Sequence, residues 1–466
     1  MTRDATIRRD ARDAAIDAIE TAMSGDAFVG AALDMQQAKS QLSPADERLA
    51  AELAIGTVRR LITCEHIAAN FYRSRWASLR DRHRYILAMA VYQLCWLDRI
   101  PDHAAIDQAV RQSKKMGVGA AKITNAVLRQ VQQHRGDTSQ RSAEFDARTT
   151  LLLDDARQVT FTTNVFPDPE KKSLLYFQSA YGVPPWLVER WNRKFKRDGC
   201  RQLCEATIRR RTLTLRPNTL KLTANDLMKR LTGREIAAQL DESAASILLP
   251  PDIAAADIPE IAEGLCQPQD ATAQKTLRSA DLKPGMFVID YCAGVGTKST
   301  QAAELMNNDG LVIASDIDER KLDSAARAAE SHGTSIVETC ALDALADRIA
   351  AAGRAPDVIV IDAPCLNTGV LGKRPEARYR ASQQALGEIT ELQMEILSNA
   401  ARLAGPATRL VYATCSLEEE ENRAQVEAFI AVHPAWTLTR DEVTLPKDSH
   451  DGGYWATLDR SSESRP

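Results

Sequence analysis

The stretch VIVIDAPCLNTG, residues 358–369, begins with branched apolar residues and continues into an acid, a proline and a cysteine. A short apolar run bounded by turn residues is typical of a strand buried on both faces of a parallel sheet. Three other runs have the same form, namely MFVIDY, LVIASDID and RLVYATCS, and helical patterns separate them. Residues 271–466 are therefore predicted to form an α/β domain with a doubly wound, parallel sheet.

The chain before this domain has a different pattern. Residues 1–137 place apolar side chains at helical spacing, as in RRDARDAAIDAIETAM, and predict an all-α bundle. Residues 138–178 lack a clear period and contain TFTTNVFPDPEKK, which is typical of a linker. Residues 179–270 join the basic segment PPWLVERWNRKFKRDG to the strand-like TLTLRPNTL, and predict a small α+β middle domain. We therefore expect a multidomain protein.

The distribution of charge and of cysteine indicates which partners and which cellular compartment to expect. The 466 residues have a net charge of −4, divided as +4 in residues 1–137, +8 in 138–230 and −16 in 231–466. A basic front half indicates approach to a polyanion, although an uneven solvated surface is the alternative. The nine cysteines form no CxxC pair and no Cys/His cluster, so we expect reduced thiols, no metal and a cytoplasmic protein. No apolar run approaches the roughly 18 residues of a membrane span.

A glycine loop follows the first predicted strand of the α/β domain. In DYCAGVGTKST, residues 290–300, Gly294 and Gly296 permit a tight turn and close approach of a ligand to the backbone. Asp316 ends the next strand about 20 residues on, where an acid can accept hydrogen bonds from ribose; a helix N-cap is the alternative. The third glycine of a dinucleotide site is replaced by Ser299. The loop therefore predicts S-adenosyl-L-methionine in a Rossmann-like domain.

Further acids and two thiols are predicted at the same edge of the sheet. Asp343 follows the short run SIVETC and is within reach of the adenine, although it is equally consistent with an N-cap. Asp362 and Cys365 end one strand, and Cys415 in LVYATCSLEEEEN follows the next. Carboxyl ends of parallel strands share one edge, so these groups should converge. A single cysteine is often only a small buried hydrophobe, whereas two at matching strand ends favour covalent catalysis.

The motifs resemble a known family. DAPC, ATCS and the later Glu421–Asn422 resemble the RNA 5-methylcytosine methyltransferases, and nearly the whole chain is similar to their ribosomal RNA small-subunit methyltransferase B (RsmB/Sun) type. YILAMAVYQLCWLDRIPDHAAIDQAV resembles that type's NusB-like N-terminal domain, while LTLRPN, CQPQDATAQ and HDGGYWATLDR resemble segments that lead into and close its catalytic domain. The resemblance implies RNA binding by residues 1–137 and 179–270, and methyl transfer by residues 271–466.

The resemblance also implies roles for individual residues. Cys415 is the expected nucleophile toward carbon 6 of cytosine. Asp362 is expected to hydrogen-bond ring nitrogen 3, which requires a protonated carboxyl group and hence a raised pKa. Cys365 is expected to assist loss of the carbon 5 proton and release of the adduct, with a structural role as the alternative. Lys298 matches the family motif, and a solvated lysine at a helix start is the alternative.

The expected cofactor-binding residues comprise the glycine loop and the strand-end acids: Cys292, Ala293, Gly294, Val295, Gly296, Thr297, Lys298, Asp316, Asp343 and Asp362. The chain departs from the family's usual CAAPGGKT loop, because Val295 replaces a proline and Thr297 a glycine. The loop after the first thiol has Leu366 and Asn367 in place of the usual Ser-Gly. We therefore expect the cofactor to bind with changed affinity.

The resulting hypothesis is a monomeric cytoplasmic enzyme that methylates carbon 5 of a cytosine in RNA, with 16S ribosomal RNA as the expected substrate. The same reaction on transfer RNA is the first alternative. A second alternative is an RNA-binding ribosome assembly factor whose altered loop no longer supports catalysis, although such a protein has no need of two thiols. A small-molecule methyltransferase is the third, and the basic front half disfavours it.

Overall fold

The computed structural model describes residues 10–38, 42–209, 212–241, 245–251 and 253–460. Their α-helices are, in chain order, α1 (Ala11–Ser24), α2 (Val29–Gln37), α3 (Pro44–Asn70), α4 (Asp81–Trp96), α5 (Asp102–Lys114), α6 (Val118–His134), α7 (Ser173–Tyr181), α8 (Pro185–Ile208), α9 (Ala224–Gly233), α10 (Pro259–Ala262), α11 (Ala271–Arg278), α12 (Thr297–Leu305), α13 (Glu319–His332), α14 (Leu345–Ala351), α15 (Ala377–Arg380), α16 (Gln383–Arg402) and α17 (Arg423–Val432).

The strands of the described residues are β1 (Arg135–Gln140), β2 (Thr150–Leu152), β3 (Arg157–Phe161), β4 (Leu213–Pro217), β5 (Gln239–Asp241), β6 (Ser246–Leu249), β7 (Cys266–Pro268), β8 (Phe287–Asp290), β9 (Leu311–Asp316), β10 (Val337–Ala341), β11 (Val358–Asp362), β12 (Arg409–Thr414), β13 (Trp436–Thr444) and β14 (Gly453–Arg460). Short 3₁₀ turns lie at Trp76–Ser78, Ala255–Asp257, Leu342–Ala344 and Glu419–Glu421. The chain divides into two compact units. The first comprises Met1–Arg210 with Leu371–Ser382, and the second comprises Arg211–Val370 with Gln383–Pro466.

The first unit contains the predicted helical bundle, α1 to α6, and a small sheet that was not predicted. Residues 138–178 were expected to be a linker, but β1, β3 and β2 form a three-stranded antiparallel sheet in that order, and α7 follows. The linker prediction is therefore wrong for this segment. The strands gave no clear signal because β1 (RGDTSQ) is polar and largely exposed, and only short stretches of β2 and β3 are buried.

A segment from within the predicted catalytic domain also belongs to the first unit. Residues 371–382, which carry α15, lie among its helices rather than in the second unit. The fully buried Arg378 guanidinium donates hydrogen bonds to the carbonyl oxygens of Gly182 (2.9 Å) and Thr207 (3.1 Å). The Tyr379 hydroxyl donates to the carbonyl oxygen of Val58 at 2.8 Å. These contacts are long-range in sequence, so no local pattern could indicate them.

The second unit is built on a seven-stranded sheet with the order β10-β9-β8-β11-β12-β14-β13. Its first five strands are parallel, as predicted, whereas β14 and β13 are antiparallel, so the sheet is mixed. Alternate side chains of each strand enter different hydrophobic cores. In β11, Ile359 and Ile361 pack with α16 and α17, while Val358 and Val360 pack with α11 and α12. Burial on both faces explains why the parallel strands read as continuous apolar runs.

A smaller antiparallel sheet, with the order β5-β6-β4-β7, forms the rest of the second unit together with α9 and α10. The predicted middle domain, residues 179–270, is thus divided between the units, because α7 and α8 lie in the first and the strands from β4 onward lie in the second. The small sheet has its own core, which includes Leu215, Leu227 and Ile247.

Candidate active site at the carboxyl edge of the sheet

The carboxyl ends of the parallel strands bring most of the predicted site residues to one edge. Asp316 ends β9 and pairs in register with Ala341 of β10, while Asp362 ends β11 and pairs with Ala413 of β12. The glycine loop follows β8, and Cys415 follows β12 by one residue. The parallel pairing of these strands therefore explains the convergence that was expected from the sequence.

The glycine loop is shaped by its backbone. Gly294 and Gly296 have φ values of 55° and 82°, in the left-handed region that glycine adopts without strain. A Cβ on Gly296 would lie 2.8 Å from the Cβ of Ala325 in α13, whereas a Cβ on Gly294 would meet no atom within 4 Å. The side chain of Val295, which replaces the family's proline, is exposed. The loop thus keeps its two essential glycines, and the changed side chain points away from the core.

Asp316 is a loop anchor as well as a candidate ribose ligand. Its carboxylate accepts hydrogen bonds from the backbone N–H groups of Gly294 and Asp318, both at 2.9 Å, and Lys321 Nζ lies 3.5 Å away. The N-cap of α13 is Asp318, so the alternative that Asp316 caps this helix is wrong. Ile317, which the sequence analysis missed, is 86% exposed beside this acid and offers an apolar surface to a flat ring. In the sequence, the apolar Ile317 directly after Asp316 is the feature that could have indicated this contact surface.

Asp290, at the end of β8, is a second residue that sequence reasoning did not single out. It is buried, and its Oδ2 accepts a 2.7 Å hydrogen bond from the Ser299 hydroxyl. Burial raises the pKa of Asp290 to about 6, although Ser299 and Lys298 oppose the shift. Among the described residues, its Oδ1 has no hydrogen-bond partner, and neither has the buried Ser315 hydroxyl in β9. Its position at the start of a DxxxGxG pattern was the signal for Asp290.

Lys298 connects the glycine loop to the predicted catalytic acid. It is buried in α12, and its Nζ lies 2.5 Å from Asp362 Oδ2, so the alternative of a solvated lysine is wrong. Burial alone would lower the Lys298 pKa, but the adjacent Asp362 carboxylate outweighs this effect and raises it. The ion pair thus joins the helix after the glycine loop to the end of β11.

The two predicted thiols are neighbours. Cys365 Sγ lies 3.2 Å from Cys415 Sγ, and both residues are partly buried. The Cys365 pKa is raised well above its usual value, first by its hydrogen bond to Cys415 and then by burial. Asn367, one of the departures from the family pattern, has a φ of 60°, donates from Nδ2 to the Cys365 carbonyl at 2.7 Å and accepts from Cys415 Sγ at 3.2 Å. Its amide therefore contacts both thiol residues.

Other expected cofactor residues lie around the loop. Cys292 is half-buried, Ala293 is buried, and Thr297 begins α12. Asp343 is exposed on the 3₁₀ turn that follows β10, and Ala344 rather than Asp343 occupies the N-cap position of α14. Asp343 therefore lies at the correct edge of the sheet.

Arg216 in β4 makes several buried contacts that could not be predicted from the sequence. Its buried guanidinium forms two 2.9 Å hydrogen bonds to the buried carboxylate of Glu304 in α12. It also donates to the Thr297 carbonyl and to the Thr300 hydroxyl, both at 3.0 Å. The small sheet is thus joined to the helix that follows the glycine loop. LTLRPN indicated a strand, but no local pattern could indicate the partners of its arginine.

The basic segment PPWLVERWNRKFKRDG lies in α8 except for its first proline. Arg193, Lys194, Lys196 and Arg197 are exposed, whereas Trp191 is a core residue of the first unit. Arg190 lies over the Trp186 ring at 4.9 Å, and Arg197 forms a 2.6 Å ion pair with Glu170. Trp191 is therefore part of the core, whereas Arg193 and Lys196 are exposed cations.

Three family models match the chain. The model for the 16S rRNA methyltransferase RsmB/F matches residues 279–455, which include both thiols and the glycine loop. The NusB family model matches residues 9–133, and the ferredoxin-like domain of RsmF/B-like methyltransferases matches residues 183–254. Residues 279–455 belong to the RsmB/F methyltransferase family. This RsmB/F domain is an S-adenosylmethionine-dependent methyltransferase.

Relatives that match this chain over most of their length are found among curated proteins. The chain is 28% identical over 430 residues to a probable ribosomal RNA small subunit methyltransferase B of Synechocystis, a match that covers 91% of this chain and 89% of the relative. It is 27% identical over 435 residues to the ribosomal RNA small subunit methyltransferase B of Vibrio cholerae, covering 91% and 92%. Among solved structures, PH0851 has a TM-score of 0.70 at 21% identity and covers 96% of this chain and 98% of its own, which supports the fold.

The residues at the carboxyl edge fit the cofactor of this family. The open approach to Gly294, the carboxylate of Asp316 and the exposed side chain of Ile317 suit an adenosine group. The unpartnered Asp290 Oδ1 and Ser315 hydroxyl are buried acceptor and donor groups that a polar ligand can satisfy. Thus the altered glycine loop retains the groups that such a ligand needs.

In the described part of the chain, His, Cys, Asp and Glu side chains form no group of three that could hold a metal ion. Every helix of the described residues is too short or too polar to cross a lipid bilayer.

Proposed function

We propose that the protein transfers the methyl group of S-adenosylmethionine to carbon 5 of a cytosine in small-subunit ribosomal RNA. The observation that carries this proposal is the pair of thiols, Cys365 and Cys415, 3.2 Å apart at the ends of adjacent strands. A methyltransferase acting on a nucleophilic oxygen or nitrogen needs no thiol. Carbon 5 of cytosine is a poor nucleophile and does need one. The names of the full-length relatives support ribosomal RNA as the substrate.

In the proposed reaction, Cys415 is the nucleophile. Its thiolate forms a bond to carbon 6, which breaks the aromatic ring system and makes carbon 5 electron-rich. When bound, S-adenosylmethionine supplies an electrophilic methyl group on a positively charged sulfur. The two sulfur atoms lie within hydrogen-bond distance, so either S–H group can donate to the other sulfur, and the Lys298 ammonium is close enough to Cys415 for electrostatic attraction. Cys365, whose own pKa is raised, keeps its proton at this stage.

The second stage removes a proton and releases the enzyme. We infer that a water molecule beside the Cys365 thiol accepts the carbon 5 proton after methyl transfer and passes it to solvent, and that the electron pair of the broken C–H bond restores the ring. The bond between Cys415 and carbon 6 then breaks, and the thiolate is regenerated. The Asp362 carboxyl group, whose Oδ2 contacts Lys298 Nζ, is suited to bind the Watson–Crick edge of cytosine, where the exocyclic amino group is a donor. The target base must leave its stack, because carbon 6 is inaccessible within it.

RNA contacts are proposed for the exposed cations of α8, and the NusB-like residues 9–133 are a second candidate surface. Because the substrate is cytoplasmic, we place the protein in the cytoplasm, and we expect a monomer. The remaining cofactor-set residues, from Cys292 to Thr297 with Asp343, are proposed to line the adenosylmethionine site.

The test is transfer of tritiated methyl groups from S-adenosylmethionine to purified, unmodified small-subunit ribosomal RNA, followed by bisulfite sequencing. Incorporation at one cytosine, lost when total RNA comes from cells that already express the protein, is the expected result. Incorporation into transfer RNA alone would replace the ribosomal substrate. Tight RNA binding without any incorporation, by protein that binds S-adenosylmethionine, would leave an assembly factor and overturn the proposal.

A further inference from the structure

The two thiol loops share one buried carboxylate. Glu421, at the end of the 3₁₀ turn Glu419–Glu421 after β12, is completely buried. Its Oε1 accepts a hydrogen bond from the Ser416 hydroxyl, and its Oε2 accepts one from the backbone N–H of Leu366 at 2.9 Å. Ser416 follows Cys415 directly, and Leu366 follows Cys365 directly. One side chain thus bridges the residues immediately after both thiols.

Two amides complete this arrangement on the other side of each thiol. Gln393 Nε2, from α16, donates to Glu421 Oε2 at 3.1 Å and to the carbonyl of Pro364, directly before Cys365, at 2.9 Å. Asn422 Oδ1 accepts a 2.5 Å hydrogen bond from the hydroxyl of Thr414, directly before Cys415, and its Nδ2 donates to the Ser416 carbonyl at 2.9 Å. We call Glu421, Asn422 and Gln393 the loop clamp.

We propose that Glu421 is a positioning residue that sets the separation of the two thiols, a role that rests on the proposed function of Cys365 and Cys415. A carboxylate is suited to this position because its two oxygens accept from two loops at once. Glutamine has one acceptor oxygen, so the Ser416 hydroxyl would have to accept from its N–H group instead of donating, and the contacts of Ser416 with Thr368 and Glu418 would have to rearrange. Glu421 does not contact the sulfur atoms, so its effect passes through the backbone of each loop.

The burial of Glu421 argues against a purely space-filling role. Burying a carboxyl group with neutral partners is costly, and an apolar residue of similar size would usually pack at lower cost. Burial raises the pKa of Glu421 to about 7, partly offset by the hydrogen bonds from Ser416, Leu366 and Gln393. A costly group that contacts the chain next to both thiols is expected where geometry matters more than stability.

The thiol separation can be measured without RNA or cofactor. Diamide oxidises two thiols to a disulfide: each sulfur loses a proton and an electron, an S–S bond forms, and the diamide N=N bond is reduced to a hydrazine. The rate at which the full-length protein forms the Cys365–Cys415 disulfide, read by mass spectrometry of the linked peptides, reports how often the sulfurs meet. Glu421→Gln is the test variant. Glu420→Gln, an exposed position on the same turn, is the matched control.

Charge and position predict opposite results in this experiment. The Glu421 carboxylate contributes to the raised Cys365 pKa, so removing its charge favours the thiolate and by itself would accelerate disulfide formation. Loss of positioning predicts slower formation. We expect Glu421→Gln to form the disulfide about ten- to a hundredfold more slowly, and Glu420→Gln to match the parent. With RNA, the turnover rate of Glu421→Gln should fall while its KM values stay unchanged.

The proposal would be overturned if folded Glu421→Gln formed the disulfide as fast as the parent protein, or if the parent formed no Cys365–Cys415 disulfide. If Glu421→Gln does not fold, Ser416→Ala removes one of its bridging hydrogen bonds and must show a slower rate in its place. Failure of the proposed function is distinguishable, because a parent protein that methylates no RNA can still show the slowed disulfide in Glu421→Gln. Conversely, if Glu421→Gln methylates RNA normally and forms the disulfide as fast as the parent, the positioning role is rejected while the proposed function stands.

Discussion

The glycine loop after β8 and the two thiol loops after β11 and β12 lie at the same edge of one sheet, but they are held in different ways. The glycine loop is held by its backbone, through left-handed glycines and the Gly294 N–H group, which donates to Asp316. The thiol loops are held by buried side chains of the loop clamp. The first loop can therefore change side chains, as at Val295, while the second depends on particular ones. The chain accordingly departs from the usual cofactor motif at Val295 and Thr297 and keeps Glu421, although Leu366 and Asn367 differ from the usual residues after the first thiol.

The largest effect is expected at the thiols, where the proposed roles differ in time. Cys415→Ala should lower methylation by about 10⁴-fold or more and prevent covalent capture of RNA. Cys365→Ala should still form the adduct and transfer the methyl group, and then accumulate as a protein–RNA complex on denaturing gels. The double variant serves as the control and should show no complex. A complex in Cys415→Ala but not in Cys365→Ala would reverse the two assignments.

The next effect tests the anchor of the glycine loop. Asp316→Ala removes the charge-assisted hydrogen bond from Gly294 of the loop and the proposed ribose acceptors. It should cost about 1.5–3 kcal/mol of cofactor binding, or roughly 10- to 150-fold in affinity. Calorimetric titration with S-adenosylmethionine measures this change. The exposed Asp309→Asn, beyond the far end of α12, is the control and should bind like the parent. Equal affinity of Asp316→Ala and the parent would remove Asp316 from the site.

Substitutions at Gly296 and Val295 test whether the loop depends on its backbone conformation more than on its exposed side chain. Gly296→Ala places a Cβ 2.8 Å from that of Ala325 at a φ of 82°, and should lower the free energy of unfolding by at least about 2 kcal/mol. Val295→Ala changes an exposed side chain and should stay within about 0.5 kcal/mol of the parent. Urea denaturation measures both. Equal losses in the two variants would contradict a loop held by its backbone.

Burial of Asp290 predicts a pH-dependent stability. Its pKa of about 6 exceeds that of an unfolded aspartate, about 3.9, so the folded state binds more protons between these values. Stability should therefore fall by about 2 kcal/mol as the pH rises from about 4 to about 6, and this fall should be missing in Asp290→Asn. The difference between the urea midpoints of variant and parent, followed across this range, tests it. A pH-independent difference would show that Asp290 does not titrate there.

The smallest effect concerns RNA contacts outside the site. Neutralising Arg193 or Lys196 to Gln should lower the salt slope of RNA binding by about 0.7–0.9 per charge, if each contacts a phosphate. Lys283→Gln, an exposed position before β8 and hence at the opposite edge of the sheet, should leave the slope unchanged. Filter binding across a salt series is sufficient. Identical slopes in all three variants would make α8 a solvated face.

The parallel strands, the glycine loop and the positions of the two thiols could be predicted from the sequence alone. Those features are local: apolar runs record burial on both faces of the sheet, and each site residue directly follows such a run. The family motifs DAPC and ATCS then indicated the reaction. The polar strands of residues 135–161 escaped detection because a small, partly exposed sheet leaves no strong period in the sequence.

The contacts around those motifs could not be predicted from the sequence and are seen in the tertiary structure. The partners of Arg216, the placement of residues 371–382 in the first unit, the ion pair of Lys298 with Asp362 and the bridge made by Glu421 all join residues distant in sequence. A buried polar side chain must find hydrogen-bond partners, but its own sequence neighbourhood does not state which. Local patterns therefore predicted where the reactive groups lie, and long-range pairing fixed how they are held and charged.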